Sequence, residues 1–398
     1  MVNPVMSDEE LVQEKIKELI SRFPPERTPE AEFLGAQFDA GLAFVHFPEG
    51  YGGLGLSRKL QPMITAELRK AGAPFGGMRN AIGYGMAAPT ILTMGSEEQK
   101  RRYLRPLFTC EEIWCQLFSE PGAGSDVAGL ATRAVRDGEE WIVNGQKVWT
   151  TLAHTARFGL LLARTDPDAE KHKGLTYFVV DMHAPGVDVR PLRQMTGDAE
   201  FNEVYFTDVR IPDSERLSDV GDGWRGAIVT LMNERVSIGG TVPPRGSGPI
   251  AVARSTWERI PAERRTAVRR DRLASLWVEA EVLRLTNMRA AAMSQAGTPG
   301  PEGSTSKLAS AELNKRIYDF CVDLLGAEGM LYDSYEMRRP EGAGGDGSVA
   351  RMFLRSRANS IEGGTSEVMR NILGERVLGL PGDVRVDKGL PWSRVPRN

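Results

Sequence analysis

Ser119-Glu120-Pro121-Gly122-Ala123-Gly124-Ser125-Asp126, followed downstream by Lys147-Val148-Trp149-Thr150-Thr151, decides how this chain is read. Glycine tolerates positive φ and has no Cβ to clash, so a Pro-Gly-Ala-Gly turn lets backbone approach a ligand closely. Ser119, Ser125 and Thr151 add hydroxyls, and Trp149 adds a flat aromatic face. The second stretch follows Glu140-Trp141-Ile142-Val143 and the dipeptide Asn144-Gly145, which favours a type I′ hairpin, so it reads as a strand. Together the turn and the strand look like a flavin site.

Around this pair the hydrophobic period changes twice. From Ser7 to Glu112 it is helical, with a cap at Ser96 before Glu97 to Leu104 and a glycine-rich break over Gly50 to Gly55. After Trp114 short strands follow one another, at Phe158 to Ala163, Leu175 to Asp181, Val187 to Pro191 and Glu203 to Thr207. Helical spacing returns in Trp224-Ala227-Ile228-Leu231-Met232 and in Leu273-Leu276-Trp277-Ala280-Leu283. The expectation is an α+β multidomain chain: an N-terminal helical domain over 1–112, a middle β domain over 113–218 and a C-terminal helical domain over 219–398. Thr241 to Pro249 and Arg339 to Ser348 read as loops. The second lacks the Lys-Ser/Thr ending and preceding strand of a phosphate-binding loop.

With 398 residues and 41% hydrophobic content the chain can bury a full core. A formal net charge of −3 offers no basic field for nucleic acid. Cys110, Cys115 and Cys321 are too few and scattered for a disulfide framework, and no Cys or His pairs have zinc spacing, so no metal is expected. Neither an apolar signal core nor a run of bilayer-spanning length is present, and the expected compartment is the cytosol.

The helical, β, helical order with the Glu-Pro-Gly-Ala-Gly-Ser-Asp turn opening the β region resembles the acyl-CoA dehydrogenases. The resemblance extends over nearly the whole chain, through Pro48 to Gly55, Gly95-Ser96-Glu97-Glu98-Gln99-Lys100, Leu325-Gly326-Ala327-Glu328-Gly329 and Ile361-Glu362-Gly363-Gly364-Thr365-Ser366-Glu367. It implies a barrel-like β domain, a C-terminal four-helix bundle and FAD as cofactor. The reaction it implies is α,β-dehydrogenation of an acyl-CoA, with electrons passed to an electron-transferring flavoprotein. Gln116, Phe118, Ser119, Gly124 and Ser125 are then expected along the flavin, Ser125 also touching the acyl-CoA, with Trp149 and Thr151 on the other side. Gly326, Thr365 and Glu367 are further expected cofactor contacts, Thr365 and Glu367 at a helix start that suits anions.

Such a reaction needs one carboxylate base in an apolar slot, where burial lifts its pKa toward the operating pH. Glu234 falls within the stripe Ala227, Leu231, Ile238 on one helix face, and the adjacent Arg235 does not share that face. The resemblance offers two base positions. One is the residue before the last Gly-Thr pair, which here is Gly363; the other is the glutamate of a Glu-Arg pair, here Glu234-Arg235. Glu234 is therefore the expected base, Gly363 the expected backbone donor to the thioester carbonyl, and Arg235 a contact near CoA. Glu362, one residue from the first position, points elsewhere.

The chain departs from the family in one place. An Arg-x-x-Phe-Gly motif by which a neighbouring subunit grips the flavin diphosphate has no counterpart in Ser255 to Asp271. Either Arg265 or Arg270 substitutes, or a different subunit completes the site, so the assembly is a homotetramer or a heterotetramer with a related chain. A catalytically silent assembly subunit and an acyl-CoA oxidase are the remaining readings.

Overall fold

The structure, a computed structural model, describes residues 6–239, 242–295, 302–342 and 347–396. Five α-helices come first: α1 (Asp8–Arg22), α2 (Glu30–Asp39), α3 (Gln61–Lys70), α4 (Ala88–Met94) and α5 (Glu97–Phe108). Helix α5 starts where Ser96 and Gln99 cap each other, the Gln99 N–H donating to Ser96 Oγ and the Ser96 N–H to Gln99 Oε1. The same Gln99 amide donates to the carbonyls of Ser214 and Arg216, so the cap also ties this helix to the segment leaving the β region.

Seven strands follow: β1 (Trp114–Leu117), β2 (Arg133–Asp137), β3 (Glu140–Thr151), β4 (Phe158–Arg164), β5 (Leu175–Asp181), β6 (Val187–Leu192) and β7 (Phe201–Pro212). They form one sheet in the order β1-β4-β2-β3-β7-β6, with β5 also on β4. β4 is buried along its whole length, and its alternation shows why. Phe158, Leu160 and Leu162 face a core shared with Leu104, Leu107 and Phe108 of α5, while Leu161 and Ala163 face Val143, Val204 and Val209 inside the sheet. Each such side chain contributes about 1.5–3 kcal/mol on burial.

Six α-helices complete the fold: α6 (Gly223–Gly239), α7 (Pro249–Arg259), α8 (Ala267–Gln295), α9 (Glu302–Leu325), α10 (Val349–Ser356) and α11 (Ser366–Ile372). A separate core of Ile250, Ala253, Leu276, Leu313, Ile317, Phe320 and Leu324 holds α7, α8 and α9 together. Helix α6 packs instead against β5 and α4. There Thr230 Oγ1 lies 2.8 Å from Thr90 Oγ1 and 2.9 Å from the Tyr177 hydroxyl, a buried chain of hydroxyls joining all three regions. The architecture is the α+β arrangement of helical, sheet and helical regions that the period changes predict, with one correction: Asn144-Gly145 forms no hairpin but lies inside β3 at a register shift against β7, and the chain reverses instead at Gly138-Glu139, between β2 and β3.

Candidate functional site

β1 runs directly into the Ser119 turn, and β3 closes on it: the Val148 N–H donates to the Ser119 carbonyl at 2.9 Å. Glu120 and Ala123 exchange backbone hydrogen bonds, 3.0 Å each way, which pinches Pro121-Gly122 into a tight tip. Neither Gly122 nor Gly124 has a positive φ, contrary to the conformational reason for expecting glycine there. A Cβ on either would meet nothing within 4 Å, so what these glycines provide is an open, uncluttered backbone face.

Lys147 and Glu120 lock the turn to the strand. Lys147 is fully buried, and its Nζ donates to Glu120 Oε1 at 2.8 Å and to the Phe118 carbonyl at 3.0 Å. Glu120 also accepts the Ala131 N–H at 2.7 Å and the Thr132 N–H at 2.9 Å. Burial raises the Glu120 carboxyl, but the Lys147 charge and these hydrogen bonds outweigh it and hold the group below its ordinary range. One signal was available: Lys147 is in phase with the inward-facing Trp141 and Val143 on β3, and a lysine on the buried face of a strand needs a partner.

Immediately beyond Lys147 the register of β3 against β7 slips, Lys147 pairing with Val204 and Thr150 with Asn202. The bulge places Trp149 at φ +60° with its side chain 57% exposed, beside the edge of Phe201 at 5.7 Å and 79°. A left-handed non-glycine residue costs on the order of 1–3 kcal/mol and persists where surrounding structure imposes it, often at functional sites. Thr151, half-buried, pairs with Phe201 across the strands. Gln116 and Ser119 are half-buried and Ser125 is exposed. Phe118 is buried, its ring 5.7 Å from that of Tyr177.

Arg355 of α10 links the Ile361 to Glu367 loop to the start of β7. The Arg355 guanidinium lies 5.7 Å from the Phe201 ring centre and 3.5 Å from Glu200, and it grips both Glu362 oxygens at 3.0 and 2.8 Å. Asn359 donates to the same carboxylate at 2.9 Å. Gly363 and Gly364 follow at φ +62° and +95°, conformations that penalise any residue with a Cβ. Thr365 is the N-cap of α11, accepting the Val368 N–H at 3.1 Å, and Glu367 is exposed beside Arg370. Gly326, at φ +61° after α9, has Arg264 for a neighbour and is not drawn to the turn.

Glu234 and Arg235 lie on the backbone of α6, but their side chains, like that of Ile238, are outside the described residues. The face of α6 that precedes them is clear: Gly223, Gly226, Ala227 and Thr230 are buried, and position 234 follows Ala227 by seven and Thr230 by four. Where the Arg-x-x-Phe-Gly motif is missing, Arg265 is committed elsewhere. It donates to the carbonyls of Glu258 and Ile260 at 2.7 to 3.1 Å and closes the end of α7. Arg264 likewise donates to the Leu325 carbonyl, while Arg270 is exposed. His154 rests between the Pro340 carbonyl and Asn202, and among the described residues no cluster of His, Cys, Asp and Glu could hold a metal.

Three family profiles match in succession: the acyl-CoA dehydrogenase N-terminal domain over residues 7–111, middle domain over 115–209 and C-terminal domain over 221–378. Acyl-CoA dehydrogenase IpdE1 of Mycobacterium tuberculosis is 38% identical over 87% of this chain and 86% of its own length. Acyl-CoA dehydrogenase FadE34 of the same organism is 39% identical over 89% of this chain, which spans 47% of that longer protein. Among solved structures, the Tcur3481-Tcur3483 steroid ACAD superposes with a TM-score of 0.73 at 27% identity, covering 94% of this chain and 97% of that one. The ChsE4-ChsE5 complex from Mycobacterium tuberculosis gives 0.69 at 30% identity, covering 96% and 100%.

Proposed function

The chain belongs to the acyl-CoA dehydrogenase family, FAD-dependent oxidoreductases of acyl-CoA thioesters, and on that premise we propose that Glu234 is the base that removes the α proton. The observation that carries this is the state of the competing carboxylate. Glu362 is held on both oxygens by Arg355 and by Asn359, and Gly363, at the other family position for the base, has a left-handed backbone that suits glycine. On α6, position 234 follows the buried Ala227 by seven residues and the buried Thr230 by four, and the reaction asks for a base in an apolar slot, where desolvation raises a carboxyl toward neutral pH. Gly363 donates its N–H to the thioester carbonyl, where enolate charge gathers, and Arg235 lies toward CoA.

The turn and strand fit FAD: an exposed indole on an imposed left-handed backbone, and a glycine tip with open space over it. FAD, when bound, supplies the acceptor for the β hydrogen as hydride. Trp149 and Thr151 would hold the flavin on one side, Gln116, Phe118, Ser119, Gly124 and Ser125 on the other, with Gly326, Thr365 and Glu367 toward its far end. Ser125 is shared with the acyl-CoA.

The commitment of Arg265 to α7 favours a second reading for the assembly, in which a related chain completes the far end of the FAD site in a heterotetramer instead of a homotetramer. Two similar solved structures are named for paired proteins, one of them a steroid ACAD, and a bulky sterol-derived acyl-CoA is the substrate class this suggests. Electrons leave to an electron-transferring flavoprotein. The cytosol is the compartment proposed; among the described residues no helix is long and apolar enough to cross a membrane. The units are 1–112, 113–218 and 219–398.

Anaerobic titration with acyl-CoAs from short and branched to long-chain and sterol-derived, following flavin bleaching, tests the reading. Bleaching by at least one of them is expected. No bleaching by any, with FAD bound and the related subunit supplied, would overturn it.

A further inference from the structure

Residues 379–396 lie beyond the last family profile, which stops at 378, and they do not trail away. After Gly379 (φ +68°) this arm crosses back to the β region. Leu380, Val384 and Val386 are exposed on the way, so apolar burial at these residues does not hold it. Ser393 ties it to the Pro167 carbonyl at 2.9 Å and to Asp168 at 3.1 Å, and two further holds concern the segment that continues the Ser119 turn.

The first is Trp392. Its N–H donates to the Ala169 carbonyl at 2.8 Å, its indole Nε1 to the Gly129 carbonyl at 3.1 Å, and its ring lies 4.5 Å from the guanidinium carbon of Arg164. Arg164 is itself buried and donates to the carbonyls of Ala128, Leu130 and Lys171. The second is Asp387, 2.5 Å from Lys171 Nζ, which also holds both oxygens of Asp126 at 3.0 Å. Carbonyls 128 to 130 and the Asp126 carboxylate are thus fixed from β4 on one side and from the arm on the other. Asp126 is the immediate neighbour of Ser125.

We propose that the 379–396 arm, through Trp392 and Asp387, is a positioning element for the acyl-CoA: it holds Asp126 to Leu130 still and so presents Ser125 to the substrate. The inference rests on the reading of Ser125 as a substrate contact. Trp392 and Asp387 act through Arg164 and Lys171 and need not touch substrate themselves.

The test compares the parent protein, loaded with FAD and with any subunit it requires, with Trp392→Phe, Trp392→Ala and a chain ending at Leu378. Phenylalanine keeps a ring over Arg164 but loses the indole N–H. Amide hydrogen exchange of Gly129 and Leu130, whose N–H groups bond Asp126 and Val127, reads the positioning without catalysis. KM and kcat read its use. With FAD kept in excess, the account predicts kcat within about two-fold and KM raised about ten-fold in Trp392→Ala and the shortened chain, the effect of one or two lost hydrogen-bond or cation–π contacts. Exchange at 129 and 130 accelerates by a similar factor, with Trp392→Phe intermediate in both. Unchanged exchange overturns the positioning; accelerated exchange with unchanged KM overturns its service to substrate. If the parent turns over no acyl-CoA, the proposed function has failed along with the substrate role, and exchange alone still decides whether the arm holds the turn.

Discussion

Two glycine-bearing loops are tied to neighbouring strands, one to β3 at Val148 and one through Arg355 to the start of β7, and they are held by opposite means. The Ser119 to Asp126 turn is locked from beneath by a lysine and a glutamate out of water, whereas the Ile361 to Glu367 loop is held by half-buried ion pairs around Arg355 and by the backbone freedom of Gly363 and Gly364. The first is a fixed wall, since a buried pair that loses one partner leaves an uncompensated charge. The second turns on two left-handed glycines, and its one glutamate before the cap, Glu362, is occupied. The contrast supports the proposal for the base: Glu120 is taken by Lys147 and Glu362 by Arg355, which leaves Glu234 of α6 as the proposed one.

The wall should break hardest. Lys147→Met leaves Glu120 buried without its cation, and denaturant unfolding should show a loss of about 3–5 kcal/mol, with much of it regained in the Lys147→Met/Glu120→Gln double variant. A loss under about 1 kcal/mol would mean that the pair does not lock the turn. pH sharpens this. Because the Glu120 pKa is lowered in the folded state, its contribution is present above its ordinary value of 4.5 and is lost as pH falls through the lowered native value. Lys147→Met should flatten that part of the stability curve.

Trp149→Ala should separate site from scaffold. The indole is largely exposed, so unfolding should change little, while FAD affinity falls about ten-fold or more with the loss of a stacking face. Equal FAD content across a dilution series would remove Trp149 from the site. In the second loop, Gly363→Ala should cost about 1–2 kcal/mol for a Cβ in a left-handed conformation, a smaller loss than breaking the wall.

What was legible in the sequence follows from what is local. The caps at Ser96 and Thr365 depend on residues a few positions apart and stand where their chemistry predicts, whereas Asn144-Gly145 makes no hairpin because its local turn preference yields to pairing of the whole Glu140–Thr151 strand with β7. Lys147 was legible only as a lysine in need of a partner, and only if β3 runs unbroken through Asn144-Gly145; nothing local points from it to Glu120. The left-handed φ of Trp149 comes from a register slip against β7, which no property of tryptophan announces. The arm escaped notice because Gly379 to Trp392 has no apolar period, and its contacts are to β4 and to the segment after the turn.

The central claim, that α6 supplies the base, is tested most directly by rapid-mixing measurement of anaerobic flavin reduction by saturating acyl-CoA in Glu234→Gln and Glu362→Gln. The account predicts that Glu234→Gln retains FAD but reduces it slower by about 10²–10⁴-fold, the range for a lost general base, while Glu362→Gln stays within a few-fold of the parent. A Glu234→Gln enzyme that reduces its flavin at the parent rate, or a Glu362→Gln enzyme that loses the larger factor, would contradict it.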